Sequence, residues 1–211
     1  MVASAVMMFG ASAAEISAAA PADRPFLRSV RLPRPQGRDA GFTRLEPAQT
    51  GLQFTNKVSL KAVARNRLIE DGSGVAAGDV DSDGLCDLYF CNLKGDNRLY
   101  RNLGGMRFED ITVAAGVGCS GQASTGAVLV DVDGDGDLDL LVNGLGAGTR
   151  LFLNDGQGKF LEKTDSGLVR DSGARSLALA DIDGDGDIDL YIVNYRRTTA
   201  RDGTQRVGIT I

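Results

Sequence analysis

Histidine and tryptophan are absent from the 211 residues, cysteine occurs three times and proline five times. Without histidine there is no Ser-His-Asp or Cys-His arrangement and no histidine-ligated zinc. The G-x-S-x-G elbow and the G-x-x-x-x-G-K-[ST] phosphate loop are missing as well. The nearest string, GQGK at 156–159, lacks the spacing and reads as a hairpin turn. No run of about 18 apolar residues exists to span a membrane. Three cysteines do not make a disulfide framework. Cys86 and Cys91 are expected on opposite sides of a sheet and Cys119 lies in a Gly-rich connection. All three read as small buried hydrophobes, with a bridge from Cys86 or Cys91 to Cys119 left open. Aromatics are only 6% of the chain, so a core must rest on Val, Leu, Ile and Ala. Long helices with an amphipathic period are absent too, which leaves strands as the building material.

Against these absences stands an acidic motif, D-x-D-x-D-G-x-x-D, written three times: DVDSDGLCD (79–87), DVDGDGDLD (131–139) and DIDGDGDID (181–189). The copies start 52 and then 50 residues apart, a spacing that signals repeated supersecondary units. Each is preceded by a short run with small residues, GVAAG (74–78), GAVLV (126–130) or SLALA (176–180). Each is followed by an apolar run ending in Asn: LYFCN (88–92), LLVN (140–143), LYIVN (190–194). Two of the three continue into NRLYRN (97–102) or TRLFLN (149–154), then a Gly-rich turn and RFEDIT (107–112) or KFLEKT (159–164). Short runs of β-branched and aromatic residues bounded by Gly, Asn and Asp predict four strands per repeat. The second strand is apolar on both faces, as a strand covered from both sides must be. Four-stranded antiparallel sheets stacked face to face make β-propeller blades, so the expected fold is all-β, with about 2.5 to 3 blades.

The segment 41–54 matches the fourth-strand text, with Phe42 in the place of Phe108 and Gly51-Leu52 in the place of Gly116-Val117. A ring needs at least about four blades. The expectation is therefore a fragment of a longer protein, or a chain that closes its ring with copies of itself.

Carboxylates packed this densely repel one another unless a cation sits among them. All-oxygen donors on a flexible loop select a hard divalent ion, calcium before magnesium. Side chains at loop positions 1, 3, 5 and 9 and the carbonyl at position 7 are the candidate ligands. In the first loop these are Asp79, Asp81, Asp83, Asp87 and the Leu85 carbonyl. In the second they are Asp131, Asp133, Asp135, Asp139 and the Asp137 carbonyl. In the third they are Asp181, Asp183, Asp185, Asp189 and the Asp187 carbonyl. Gly84, Gly136 and Gly186 hold position 6, where the chain turns sharply. An EF-hand would place Glu at position 12, which holds Phe90, Val142 and Ile192 instead. Fourteen of the 28 acidic residues lie in the loops, and about three Ca²⁺ ions would take the net charge from −5 to about +1. The acidity thus belongs to the metal sites, and no nucleic-acid partner is expected.

These strings, D-[VI]-D-x-D-G-x-x-D-L, NRLYRN, N-x-G-x-x-x-F-x-x-x-T and A-G-V, resemble the FG-GAP/VCBS repeat, which builds the calcium-binding propeller head of integrin α subunits. The resemblance covers roughly residues 41 to 195. It is closer still to secreted bacterial proteins similar to cartilage acidic protein, which often carry a C-terminal ASPIC/UnbV segment that this sequence lacks. It implies loops between the first and second strands of each blade, structural calcium, and a role in adhesion or in binding a protein or glycan. No catalytic residue is assigned, and the chain is not expected to be an enzyme. The rival is a propeller domain of a secreted polysaccharide lyase or hydrolase. Residues 1–20 read as a signal peptide without a basic start, which points to a secreted or periplasmic protein. Residues 21–40 read as a Pro/Arg-rich linker, and the repeats occupy 41–211.

Overall fold

The computed structural model describes residues 6–7, 43–56, 58, 72–168 and 173–195. The chain divides into two compact units, one of Ser4–Glu46 and one of Met1–Ala3 with Pro47–Ile211. In the smaller unit, β1 (Val6–Met7) pairs antiparallel with β2 (Thr43–Arg44). Apart from β1, the expected leader and linker lie outside the described residues, as does Phe42.

The larger unit holds three antiparallel sheets in chain order. The first is β3 (Val75–Gly78), β4 (Asp87–Phe90), β5 (Arg98–Asn102) and β6 (Phe108–Asp110), each strand paired with the next. The second repeats that order with β7 (Ser124–Val130), β8 (Asp139–Gly144), β9 (Gly148–Asn154) and β10 (Phe160–Glu162). The third is the hairpin of β11 (Gly173–Ala180) and β12 (Asp189–Tyr195). The fold is therefore all-β with four-stranded, propeller-like blades, and the described sheets do not close a ring. Each acidic loop joins the first strand of a sheet to the second. A register irregularity recurs seven residues before the second and third loops, at Ser124/Gly126 and Ala174/Ser176.

Burial explains why the second strands read as continuously apolar. Tyr89, Cys91 and Leu99 of the first sheet pack with Leu140, Val142 and Phe152 of the second in one cluster. The opposite face of the first sheet is covered by residues 51–56. Phe54 stacks on Phe90 at 5.0 Å between ring centres, and the Gln53 N–H donates to the Tyr100 hydroxyl at 3.2 Å. In the third sheet Tyr191 and Val193 are 65% and 51% exposed, whereas Leu141, at the place of Tyr191 in the repeat, is buried. Backbone bonds lace the sheets: the Gly74 N–H donates to the Thr125 carbonyl and the Ser124 N–H to that of Asn92, each at 2.9 Å. The strands approach so closely here that a Cβ on Gly74 would lie 3.0 Å from the Gly126 Cα.

Two single-turn helices, α1 (Pro47–Thr50) and α2 (Thr112–Ala115), are absent from the strand reading of the sequence. α2 ends on Gly116 in the left-handed conformation, its N–H donating to the Thr112 carbonyl, and Gly51 follows α1 with the same sign of φ. Each glycine lies on the fourth strand of the sheet that follows, Gly51 against Phe108 and Gly116 against Phe160. Of the cysteines, Cys91 and Cys119 are buried as expected, but Cys86 is exposed, because the loop that carries it projects from the sheet.

Candidate metal centres

The three loops fold by one scheme, set by aspartate side chains that accept backbone N–H groups. Position 1 spans the turn with both oxygens. Asp131 Oδ1 and Oδ2 accept from Gly134 and Gly136 at 2.8 and 3.0 Å, and Asp181 accepts from Gly184 and Gly186 at 2.7 and 3.2 Å. Asp79 does the same with Asp83 and Gly84 at 3.1 and 2.8 Å. Position 5 accepts from the N–H two residues on: Asp83 from Leu85, Asp135 from Asp137 and Asp185 from Asp187, at 2.8 to 2.9 Å. Such short-range bonds to the chain's own backbone are why Asp is chosen over Glu in a tight turn.

Position 9 is the clasp. Asp87 Oδ2 accepts from the Val80 N–H at 2.9 Å, Asp139 Oδ2 from Val132 at 3.0 Å and Asp189 Oδ2 from Ile182 at 2.8 Å. In the two complete sheets the other oxygen accepts from the last residue of the third strand, Asn102 at 2.7 Å and Asn154 at 2.9 Å. Asp87 and Asp139 are buried. Burial pushes their carboxyls above the usual range, the two N–H bonds pull them down, and neighbouring loop aspartates push them up again. Partial burial and the carboxylates of Asp135, Asp131, Asp155 and Asp133 raise Asp137 as well. Its carboxylate lies against Gly156 in the β9–β10 turn, where an added Cβ would come within 2.4 Å of Oδ2.

Three triads emerge: Asp79, Asp81 and Asp87; Asp131, Asp133 and Asp139; Asp181, Asp183 and Asp189. Each residue offers one carboxylate oxygen, and within a triad these atoms lie within 4.8 Å of one another, so each triad can hold a metal ion. The structure thus brings positions 1, 3 and 9 together. Asp83, Asp135 and Asp185 stand outside the triads, engaged with the backbone of their own turn. The donor set is oxygen alone, which suits a hard cation. In the first loop a further sign of fit is present: Asp81 Oδ1 is buried without a hydrogen-bond partner. A buried carboxylate oxygen left unpaired is costly unless something positive faces it.

Arg101 is the residue that reading of the motifs missed. Its Nε lies 2.7 Å from Asp81 Oδ2, as an ion pair and not an aligned hydrogen bond. The signal was in the repeat text, where Arg101 in NRLYRN stands at the place of Leu153 in TRLFLN.

Residues 79–142 and 131–192 each match the profile of a family described as FG-GAP-like repeat. The two matches together run from the first acidic loop to β12, more than half the chain. Each begins at an acidic loop and ends in the second strand of the next sheet. No curated protein sequence matches the chain.

Proposed function

The chain belongs to the FG-GAP-like repeat family, and from that membership we propose that it is a calcium-binding β-propeller module, secreted or held at the cell envelope, that acts in adhesion or in binding a protein or glycan. The observation that carries the reading is the recurrence of one aspartate triad at the same point of three successive sheets, with an unpartnered buried oxygen in the first.

Calcium in this reading is structural. When bound it neutralises the carboxylates of the loop and fixes the turn from first to second strand. Positions 1, 3, 5 and 9 and the carbonyls of Leu85, Asp137 and Asp187 are the proposed ligands, with position 5 reaching the ion by giving up or sharing its turn bond. Multi-oxygen sites of this kind fill where calcium is millimolar, as it is outside cells. A kinship with bacterial proteins similar to cartilage acidic protein rests on the motif text alone. No helix among the described residues is long and apolar enough to cross a membrane.

The test is a calcium titration of the purified chain by calorimetry, with magnesium as control and far-UV circular dichroism and thermal melting alongside. About three calcium ions bound, with a rise in melting temperature that magnesium does not reproduce, is the expected result. Absence of binding heat in millimolar calcium, with no change in melting, would remove the calcium reading and leave the propeller-like fold.

A further inference from the structure

We propose that Arg101 makes the first acidic loop the weakest of the three cation sites, a resident positive charge that stands in part for the ion and holds the loop folded without it. This rests on the reading of the loops as cation sites, and it distinguishes sites that the repeat motif makes look alike.

The three loops differ in burial and in charge. The Asp81 side chain is only 9% exposed, while Asp133 and Asp183 at the same position are exposed. What buries Asp81 is the neighbouring sheet. Gly158 in the β9–β10 turn sits against it, close enough that an added Cβ would be 3.6 Å from both the Asp81 Cβ and Val80 Cγ2. The Asn154 side chain donates to the Val80 carbonyl beside it. A carboxylate so enclosed needs a paired charge, and Arg101 supplies it at 2.7 Å.

The same strand position accepts leucine one repeat later. Arg101 pairs across the sheet with Glu109, and Leu153 pairs in the same register with Leu161. With leucine there, this strand position offers the second loop no basic partner. Among the described residues no ion pair reaches the second or third loop. Those loops also carry five carboxylates against four in the first, where Leu85 stands at the place of Asp137 and Asp187.

A dication entering the first loop therefore meets fewer negative charges and one guanidinium already on a ligand. Because the pair engages Asp81 Oδ2, Oδ1 remains available, so the site is weakened and not abolished. A unit charge about 6 Å from a divalent ion under water-like screening is worth on the order of tenfold in affinity. The second and third loops fill first, and the first fills last.

The experiment compares the intact chain with Arg101→Leu, Arg101→Lys and Asp79→Asn by calcium calorimetry, with circular dichroism of each in chelator. The expected result is two classes of site in the parent chain, the weaker lost in Asp79→Asn. Arg101→Leu should tighten that class by about tenfold while melting lower than the parent without calcium, and Arg101→Lys should keep the parent pattern. If Arg101→Leu is unfolded in chelator but folds on adding calcium with the tightened class, the proposal stands, since the ion then does what arginine did. A parent chain with one class of equivalent sites, unchanged by Arg101→Leu, overturns the proposal while leaving calcium binding intact. Absence of binding in every protein overturns both.

Discussion

The side-chain Nδ2 of Asn154 donates to the backbone carbonyl of Val80 at 2.9 Å, across 74 residues of sequence and from one sheet to the next. The same amide donates to the Leu138 carbonyl at 3.1 Å, and the Asn154 N–H donates to Asp139 Oδ1. One residue thus ties the second acidic loop to its own strand and the first acidic loop to the second sheet. Asn102, its counterpart one repeat earlier, makes the bonds to Asp87 and to the Cys86 carbonyl, and among the described residues none of its hydrogen bonds crosses to another sheet.

Asn154→Ala is accordingly expected to cost more than Asn102→Ala. Removing the side chain of Asn154 strands two carbonyls, about 1–3 kcal/mol, against roughly half that for Asn102. Urea unfolding of both variants in chelator reads the difference without a metal contribution. Equal losses would mean that the Val80 bond carries no stability.

The ninth loop residue is expected to be structural even when no ion is bound. Asp139→Ala leaves the N–H groups of Val132 and Asn154 without their acceptor at a buried point, a loss of about 2–4 kcal/mol. Asp135→Ala removes one exposed turn bond and should cost under about 1 kcal/mol. Calcium affinity alone cannot separate these roles, since both residues are candidate ligands. Unfolding in chelator separates them, and similar losses would put Asp139 among the ligands only.

Strand order, the position of the acidic loops and the all-β class were legible because each is written inside a single repeat. LYFCN and LLVN announce a strand covered on both faces whatever lies against them. The Asn154–Val80 bond and the Gly158 contact that buries Asp81 depend on how one repeat stacks on the next, which no periodicity within a repeat encodes. The ion pair of Arg101 falls between these cases. Its position was visible as the one arginine of NRLYRN with no basic counterpart in TRLFLN, but its direction toward the loop was not. The dual use of aspartate was hidden for a simpler reason. A carboxylate that clasps N–H groups and one that awaits a cation are spelled the same way.

Thiol chemistry should report the core directly. Cys86 is exposed, while Cys91 and Cys119 are buried in the cluster between the first two sheets, and burial pushes both of those thiols up. Cys119 Sγ lies 3.6 Å from the Tyr89 hydroxyl, itself held by the Val117 carbonyl and the Asn97 amide. The native chain should therefore react with one equivalent of an aromatic disulfide reagent and the unfolded chain with three, the fast equivalent vanishing in Cys86→Ser. Only one reactive thiol after unfolding would reveal a bridge between Cys91 and Cys119.

Stability should depend on pH with opposite sign in chelator and in calcium. The carboxyls of Asp87 and Asp139 are raised in the folded chain, burial outweighing the N–H bonds that favour the ionised form. A raised carboxyl means that the folded state binds protons more tightly than the unfolded one. The contribution of these groups is then fully present below the unfolded value near 3.8 and is lost as pH rises through the folded values. In chelator the chain should gain stability from these groups as pH falls from neutrality toward the unfolded value near 3.8. In calcium the ion holds the same carboxylates ionised, and acidification displaces it, so stability should fall over that interval. Asp139→Asn cannot titrate at that position and should flatten part of the slope in chelator. Thermal melts across that range in the two conditions, on the parent and the variant, give the answer. A parent slope in chelator of the same sign as in calcium would show that other groups, and not the buried clasp aspartates, govern its response to pH.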